Sequence, residues 1–206
     1  MTVPMFPLGS VLLPGAPLGL IVFEPRYLVM VEHCLAGDGR FGVVLIERGS
    51  EVGGGEVRFA TGTMASIARA APVEEGRWRV LAVGQERVRV IEWLPDDPFP
   101  RAEVEVLGDG PPPSPEVVSD LGAALRRLLE ARLRAGAGGS ATFADPMSLD
   151  AADRHQFVWG ATAIVAPGPF DAQHLLECHT GDERAELLTR LADEAVELLR
   201  LSAGEQ

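Results

Sequence analysis

The run Gly108-Asp109-Gly110-Pro111-Pro112-Pro113-Ser114-Pro115 decides the fold, because the periodicity of the chain changes across it. Upstream, short β-branched segments alternate with Gly, Pro and acidic turns: residues 41–47, 62–68, 78–83, 88–93 and 102–107 all read as strands. Val80 and Ala82 oppose Arg79 and Leu81, and farther on Val88 and Val90 oppose Arg87 and Arg89, which places the arginines on solvated strand faces. Gly84, between these two runs, marks a bulge or bend of the kind that curls a sheet into a barrel. One helix interrupts the strands, beginning after Pro25 and running to about Ala36, stopped by Gly37, with Leu28, Val31 and Leu35 facing inward.

Downstream of the run the period is helical. Ser114 is an N-cap with Pro115 in the first helical position, and Val117, Val118, Leu121, Leu125, Leu128, Leu129 and Leu133 form one stripe up to Gly136. Arg126, Arg127, Arg132 and Arg134 complement the dipole at that helix's C-terminal end. Gly136 to Ser140 reads as a connector. A second helix covers residues 150–165 and a short third one 171–178. The capping box Thr180-Gly181-Asp182-Glu183 opens a fourth, which carries Leu187, Leu188, Leu191, Ala195, Leu198 and Leu199 inward. The reading is α+β: a strand-rich part over residues 1–110 with one helix, then a bundle of about four helices over residues 111–206.

Composition narrows the functional classes. The 206 residues are 47% apolar and 23% charged, a globular balance, with a formal charge of −12. Such acidity opposes non-specific attraction to nucleic acid or to anionic membrane, so neither is an expected partner. All eighteen cationic side chains are Arg. Without Lys there is no Schiff base, no P-loop lysine and no Ser-Lys dyad. Two cysteines, Cys34 and Cys178, are too few for a disulfide framework and fit a reducing compartment. The apolar opening before Glu24 lacks a positive n-region and is broken by Pro4, Pro7, Pro14 and Pro17, so it reads as folded structure and not a signal peptide. No apolar run reaches the roughly 18 residues of a membrane span, and a cytoplasmic protein is expected.

The opening Phe6-Pro-Leu-Gly-Ser-Val-Leu-Leu-Pro-Gly-Ala-Pro-Leu18, followed by Ile21-Val-Phe-Glu-Pro-Arg-Tyr27, resembles the start of the Lon-protease N-terminal domain family, the LON substrate-binding domain. Phe41-Gly-Val-Val-Leu45 resembles the family's next strand, Gly62-Thr-Met-Ala-Ser-Ile67 its G-T-x-A-x-I segment, and Gly84-Gln-Glu-Arg87 its G-x-x-R hairpin. Residues 171–177 and 183–188 resemble its last two helices. The resemblance implies a curled, PUA-like sheet or pseudo-barrel followed by a helical bundle. Full-length Lon proteases continue into ATPase and Ser-Lys protease domains, whereas this sequence ends at Gln206 with no G-x-x-x-x-G-K-[ST] motif and no Lys. The expectation is therefore a free-standing, non-enzymatic recognition module that binds polypeptide segments, its acidity favouring basic clients. The alternative, also implied by the resemblance, is an RNA- or small-ligand-binding regulator on the PUA-like sheet.

Four features are candidate sites. His33-Cys34 and Cys178-His179 mirror each other as zinc ligands or a Cys-His nucleophile, but adjacent residues on a helix diverge by about 100° and neither pair has ligand spacing. Gly49 to Glu56 imitates a phosphate loop, yet it holds two acids and precedes a strand, which favours a plain interstrand loop. Arg77, Arg79, Arg87 and Arg89, extended by Arg58 and Arg69, would form a basic RNA face. Against this, residues 1–110 carry fifteen acids against ten Arg. The fourth is the strand-to-helix turn Phe23-Glu-Pro-Arg-Tyr27. There Glu24 is placed to meet the helix's free N–H groups, and Glu24 and Arg26 tie sheet to helix above Tyr27. In its functional reading, Phe6, Pro14, Phe23, Glu24, Arg26 and Tyr27 border an apolar groove for an extended segment. No motif implies a cofactor, a metal or a catalytic residue.

Overall fold

The computed structural model describes residues 1–49, 55–136 and 146–204. Its strands are β1 (Thr2–Leu8), β2 (Pro17–Val22), β3 (Arg40–Arg48), β4 (Val57–Val73), β5 (Arg77–Leu94) and β6 (Arg101–Leu107). Its helices are α1 (Pro25–Ala36), α2 (Pro115–Arg134), α3 (Ala151–Val165), α4 (Pro169–Glu177) and α5 (Gly181–Gly204). The architecture is α+β, as read from the change of period. Two compact units result: Met1–Gly108 with Pro169–Glu177, and Asp109–Gly168 with Cys178–Gln206.

In the first unit β6 pairs with both β1 and β5, so β1, β3, β4, β5 and β6 close into a ring. β2 joins β5 outside that ring and ends the sheet. β5 serves both neighbours along one edge: residues before Gly84 pair with β2, and residues from Arg87 onward pair with β6. The change of partner coincides with a bulge. Thr63 pairs with Arg87 and Ala65 with Gly84, so β5 spends two residues where β4 spends Met64 alone.

The extra residue reverses the alternation of β5. Val80 and Ala82 join the cluster packed by α1 with Phe6, Tyr27 and Phe41, whereas Val88 joins Val3, Met5, Val44 and Met64 in a second cluster. Arg87 is buried and not on a solvated face as the simple alternation suggested. Its guanidinium donates to the Leu176 carbonyl at 2.6 Å and to the Gly108 carbonyl at 2.5 Å. Arg89 does stay exposed and pairs across the strands with Glu105 at 3.4 Å. Helix α4 is held on β4 by buried Gln173, whose Nε2 donates to the Thr61 carbonyl at 3.1 Å. On α1 the inward residues are Tyr27, Met30, Val31 and Cys34, while Leu35 is exposed. The stripe is rotated from the expected one because Tyr27 stacks on Phe6 and sets the face.

In the second unit Ser114 caps α2 as read, its Oγ accepting from the Val117 N–H at 3.4 Å. The buried face of α2 is Val118, Leu121, Leu125 and Leu128; Leu133 is exposed, since the stripe leaves the core in the last turn. Arg132 donates to the Ile164 carbonyl at the end of α3 at 2.5 Å, and Arg127 makes a forked pair with Asp193 of α5. The inward face of α5 runs through Arg184, Leu188, Ala192 and Val196 at four-residue steps; Leu198, expected inside, is exposed. The expected connector falls largely on residues 137–140, outside the described residues.

The capping box of α5 is formed in both directions. Thr180 Oγ1 accepts from the Glu183 N–H at 3.1 Å, and Glu183 Oε2 accepts from the His179 and Thr180 N–H groups at 2.7 and 3.3 Å. The His179 N–H, ahead of the Thr180 one, holds the Glu183 carboxyl below its usual range. A depressed carboxyl contributes stability that is present above its unfolded value and lost as pH falls through the folded value. Thermal melts across pH should therefore show Glu183→Ala less stable than the parent at pH 7, with the gap closing below about pH 4.5. A gap of constant size down to pH 3 would refute this role.

Candidate functional site

The Pro-rich segment after β1 is fastened by backbone contacts that require particular residues. Thr63 Oγ1 donates to the Leu12 carbonyl at 2.6 Å, Gly15 N–H donates to the Gly84 carbonyl at 2.9 Å, and Gly84 N–H donates to the Ala16 carbonyl at 2.9 Å. A Cβ on Gly84 would sit 2.3 Å from the Leu13 oxygen, and one on Gly62 would sit 2.1 Å from the Val43 oxygen. The Gly62-Thr63 and Gly84-x-x-Arg87 motifs are thus the points where backbones approach too closely for a side chain, or where a buried side chain closes the sheet. Pro14 lies half-buried in the segment so held.

At the turn into α1, the Glu24 carboxylate makes no cap bond to the helix, contrary to the electrostatic reading. It accepts instead from Arg26 Nε at 3.2 Å. The Arg26 guanidinium lies over the Tyr27 ring at 4.5 Å, and Tyr27 stacks on Phe6 with centroids 4.1 Å apart and planes 10° apart. Burial pushes the Tyr27 hydroxyl up to about 12, with the carboxylates of Glu56 and Glu24 adding to the shift against the arginines. Tyr27 is therefore a neutral packing group at physiological pH.

The six site residues separate by depth. Phe6 and Tyr27 belong to the core, Pro14, Glu24 and Arg26 are half-buried, and Phe23 is 57% exposed. Ile21, two residues earlier on the same face of β2, is 48% exposed, and Leu81 on β5 is 45% exposed. The accessible apolar surface therefore follows the outward residues of β2 and its continuation, a pattern the sequence analysis did not extract although Ile21 and Phe23 stand at strand spacing. A groove of about 500 Å³ on this side is lined by Ile21, Val73, Glu74, Arg77 and Arg79.

The other candidates are placed as follows. The His33 ring packs against Phe99 at 5.5 Å, and the Cys34 thiol donates to the Arg40 carbonyl at 3.4 Å. Burial, assisted by Asp38, pushes that thiol up to about 11, which keeps it from acting as a thiolate nucleophile. Among the described residues, no group of three or more His, Cys, Asp or Glu could hold a metal ion. Of the phosphate-loop imitation, residues 50–54 lie outside the described residues. Arg58 bonds Glu56 and Asp96 and lies over Trp93, and with Arg87 buried the arginines do not form one basic face.

A profile of the ATP-dependent protease La (LON) substrate-binding domain matches residues 2–194. The chain belongs to this family. The LON domain is 25% identical over 205 residues to Lon protease 2 of Herpetosiphon aurantiacus, covering 96% of this chain and 24% of that one. It is 33% identical over 110 residues to a LON peptidase N-terminal domain and RING finger protein of Schizosaccharomyces pombe, covering 48% of this chain and 23% of the other. The chain thus spans about a quarter of the length of these relatives. Among solved structures, the Lon N-terminal domain protein of Xanthomonas campestris superposes with TM-score 0.67 at 28% identity, covering 91% of this chain and 96% of that one. The N-terminal domain of Lon protease from the Mycobacterium avium complex shares the fold, with TM-score 0.62 at 13% identity over 94% and 98% of the two chains. The matched region of the LON profile is a substrate-binding domain, and no described helix is long and apolar enough to cross a membrane.

Proposed function

We propose that this LON domain is a non-enzymatic recognition module that binds exposed apolar segments of other polypeptides in the cytoplasm. The observation that carries the reading is the outward line of Ile21 and Phe23 along β2 and its continuation, on a domain whose family is a substrate-binding one. Phe23 supplies contact area, while Phe6, Tyr27, Glu24 and Arg26 fix the turn that presents it. The absence of Lys from all 206 residues removes both the P-loop lysine and the Ser-Lys dyad from the chemistry available to it.

The test uses reduced, carboxymethylated α-lactalbumin as an unfolded probe and its native form as the control. Photo-crosslinking from p-benzoylphenylalanine at position 23 should capture the unfolded form alone. Phe23→Asp, at an exposed position, should weaken binding about tenfold without changing the melt, as expected for losing one buried aromatic contact. Equal capture of native and unfolded probe, or full affinity in Phe23→Asp, would refute the reading.

A further inference from the structure

Among the described residues β2 is an edge strand with no strand partner beyond β5, and its six residues, Pro17 to Val22, carry no charge. Exposed sheet edges are usually blunted by Lys, by inward charges or by Pro within the strand, because unpaired N–H and C=O groups recruit further strands. Here Pro17 stands only at the entrance, and Leu18 to Val22 carry none of these devices.

The face beside this edge has a definite chemistry. Residues opposed across a sheet share a face. The register places Gly19, Leu81 and Arg69 in one row across β2, β5 and β4, then Ile21, Arg79 and Ala71 in the next, with Arg77 opposite Val73 beyond. Arg69 and Arg79 are exposed and have no carboxylate partner among the described residues. Glu74 is the acidic side chain in the groove lining. A Cβ on Gly19 would meet nothing within 4 Å, so the row keeps an open gap between the edge and the side chains of Leu81 and Arg69.

We propose that this surface docks an extended acidic and apolar segment of another protein, which adds to β2 as a further strand. Its apolar side chains would lie over Gly19 and Ile21 toward Leu81, and its carboxylates would meet Arg79 and Arg69. The chain's net charge of −12 does not override this, because at physiological salt charges beyond about 8 Å are largely screened and the near arginines dominate. The sign is opposite to the basic clients suggested by total charge. A second copy pairing β2 with β2 would bring the same arginines to one continuous face and leave them unmatched.

This inference rests on the polypeptide-recognition reading and sharpens its partner. The probes are two fluorescein-labelled ten-residue peptides, one alternating Glu with Val and the other alternating Arg with Val, titrated against the full chain near 0.15 M salt. The acidic peptide should bind about tenfold tighter, and the double variant Arg69→Glu with Arg79→Glu should reverse the order. Hydrogen exchange should show new protection of the β2 amides in the acidic complex. Tighter binding of the basic peptide, protection elsewhere with β2 unchanged, or concentration-dependent protection of β2 with no peptide would overturn the proposal. If unfolded α-lactalbumin is still captured at position 23, those results leave the broader reading standing.

Discussion

Arg184→Met is expected to destabilise the second unit by about 3 to 5 kcal/mol, the range for removing one partner from a buried, hydrogen-bonded charge arrangement. The Arg184 side chain is fully buried. One terminal nitrogen donates to the Cys178 carbonyl at 3.2 Å, the other to the Asp109 carbonyl, and the guanidinium lies 4.9 Å from the centre of the Trp159 ring. Trp159 in turn donates Nε1–H to Asp109 Oδ1 at 3.3 Å. One side chain therefore satisfies carbonyls from two loops that have no strand to pair with. Methionine replaces its apolar stem but leaves both carbonyls without that donor. At about 2 to 4 °C per kcal/mol, the helical signal should melt roughly 10 °C earlier. Arg184→Lys should recover only part of the loss, because an ammonium cannot span both acceptors as the planar fork does. Melts of both variants that overlay the parent would show that the loops are held by other means.

Arg184 also shows which parts of the molecule could be read from the chain. It stands four residues before Leu188, on the inward face that continues through Ala192 and Val196, but the sequence reading took Leu191, Ala195, Leu198 and Leu199 as that face and passed over the arginine. Its partners were not visible, since they come from loops without periodicity. Local signals served well where the physics is local: Pro115 after Ser114 starts α2, and Thr180 with Glu183 starts α5. They failed where pairing geometry decides. Pro4 and Pro7 obscured β1, which nevertheless pairs with β3 on one side and β6 on the other. The alternation of Val88 and Arg87 was readable, but the single extra residue in β5 exchanges the faces, and it is defined only by the partner strand.

The same limit applies to the candidate site. The turn Phe23 to Tyr27 stood out as chemistry-bearing types at a strand-to-helix junction, and the structure does bring Phe6, Arg26 and Tyr27 into one stack. Which of these residues meets solvent depended on the depth of that stack, which no spacing encodes. Edge status was equally hidden, because it depends on which strands pair with β2, and among the described residues β5 alone does.

Gly84→Ala should link that geometry to function. The new Cβ would lie 2.3 Å from the Leu13 carbonyl oxygen and 3.1 Å from its carbon, both backbone atoms that cannot rotate away. Relief requires moving the Leu12 to Ala16 segment, which strains the Gly84 N–H bond to Ala16, the Gly15 N–H bond to Gly84 and the Thr63 hydroxyl bond to Leu12. Overpacking plus weakened hydrogen bonds should cost about 2 to 4 kcal/mol. Gly19→Ala is the matched control, since its Cβ meets nothing within 4 Å and its stability should stay within about 1 kcal/mol of the parent. The two variants should also separate in hydrogen exchange, with faster exchange over residues 12–16 in Gly84→Ala alone. Because Pro14 rides on that segment, Gly84→Ala should lose capture of unfolded polypeptide at temperatures where it remains folded. Retention of full capture by folded Gly84→Ala would remove the Pro14 segment from the binding surface and leave the line of Ile21 and Phe23 to act without it.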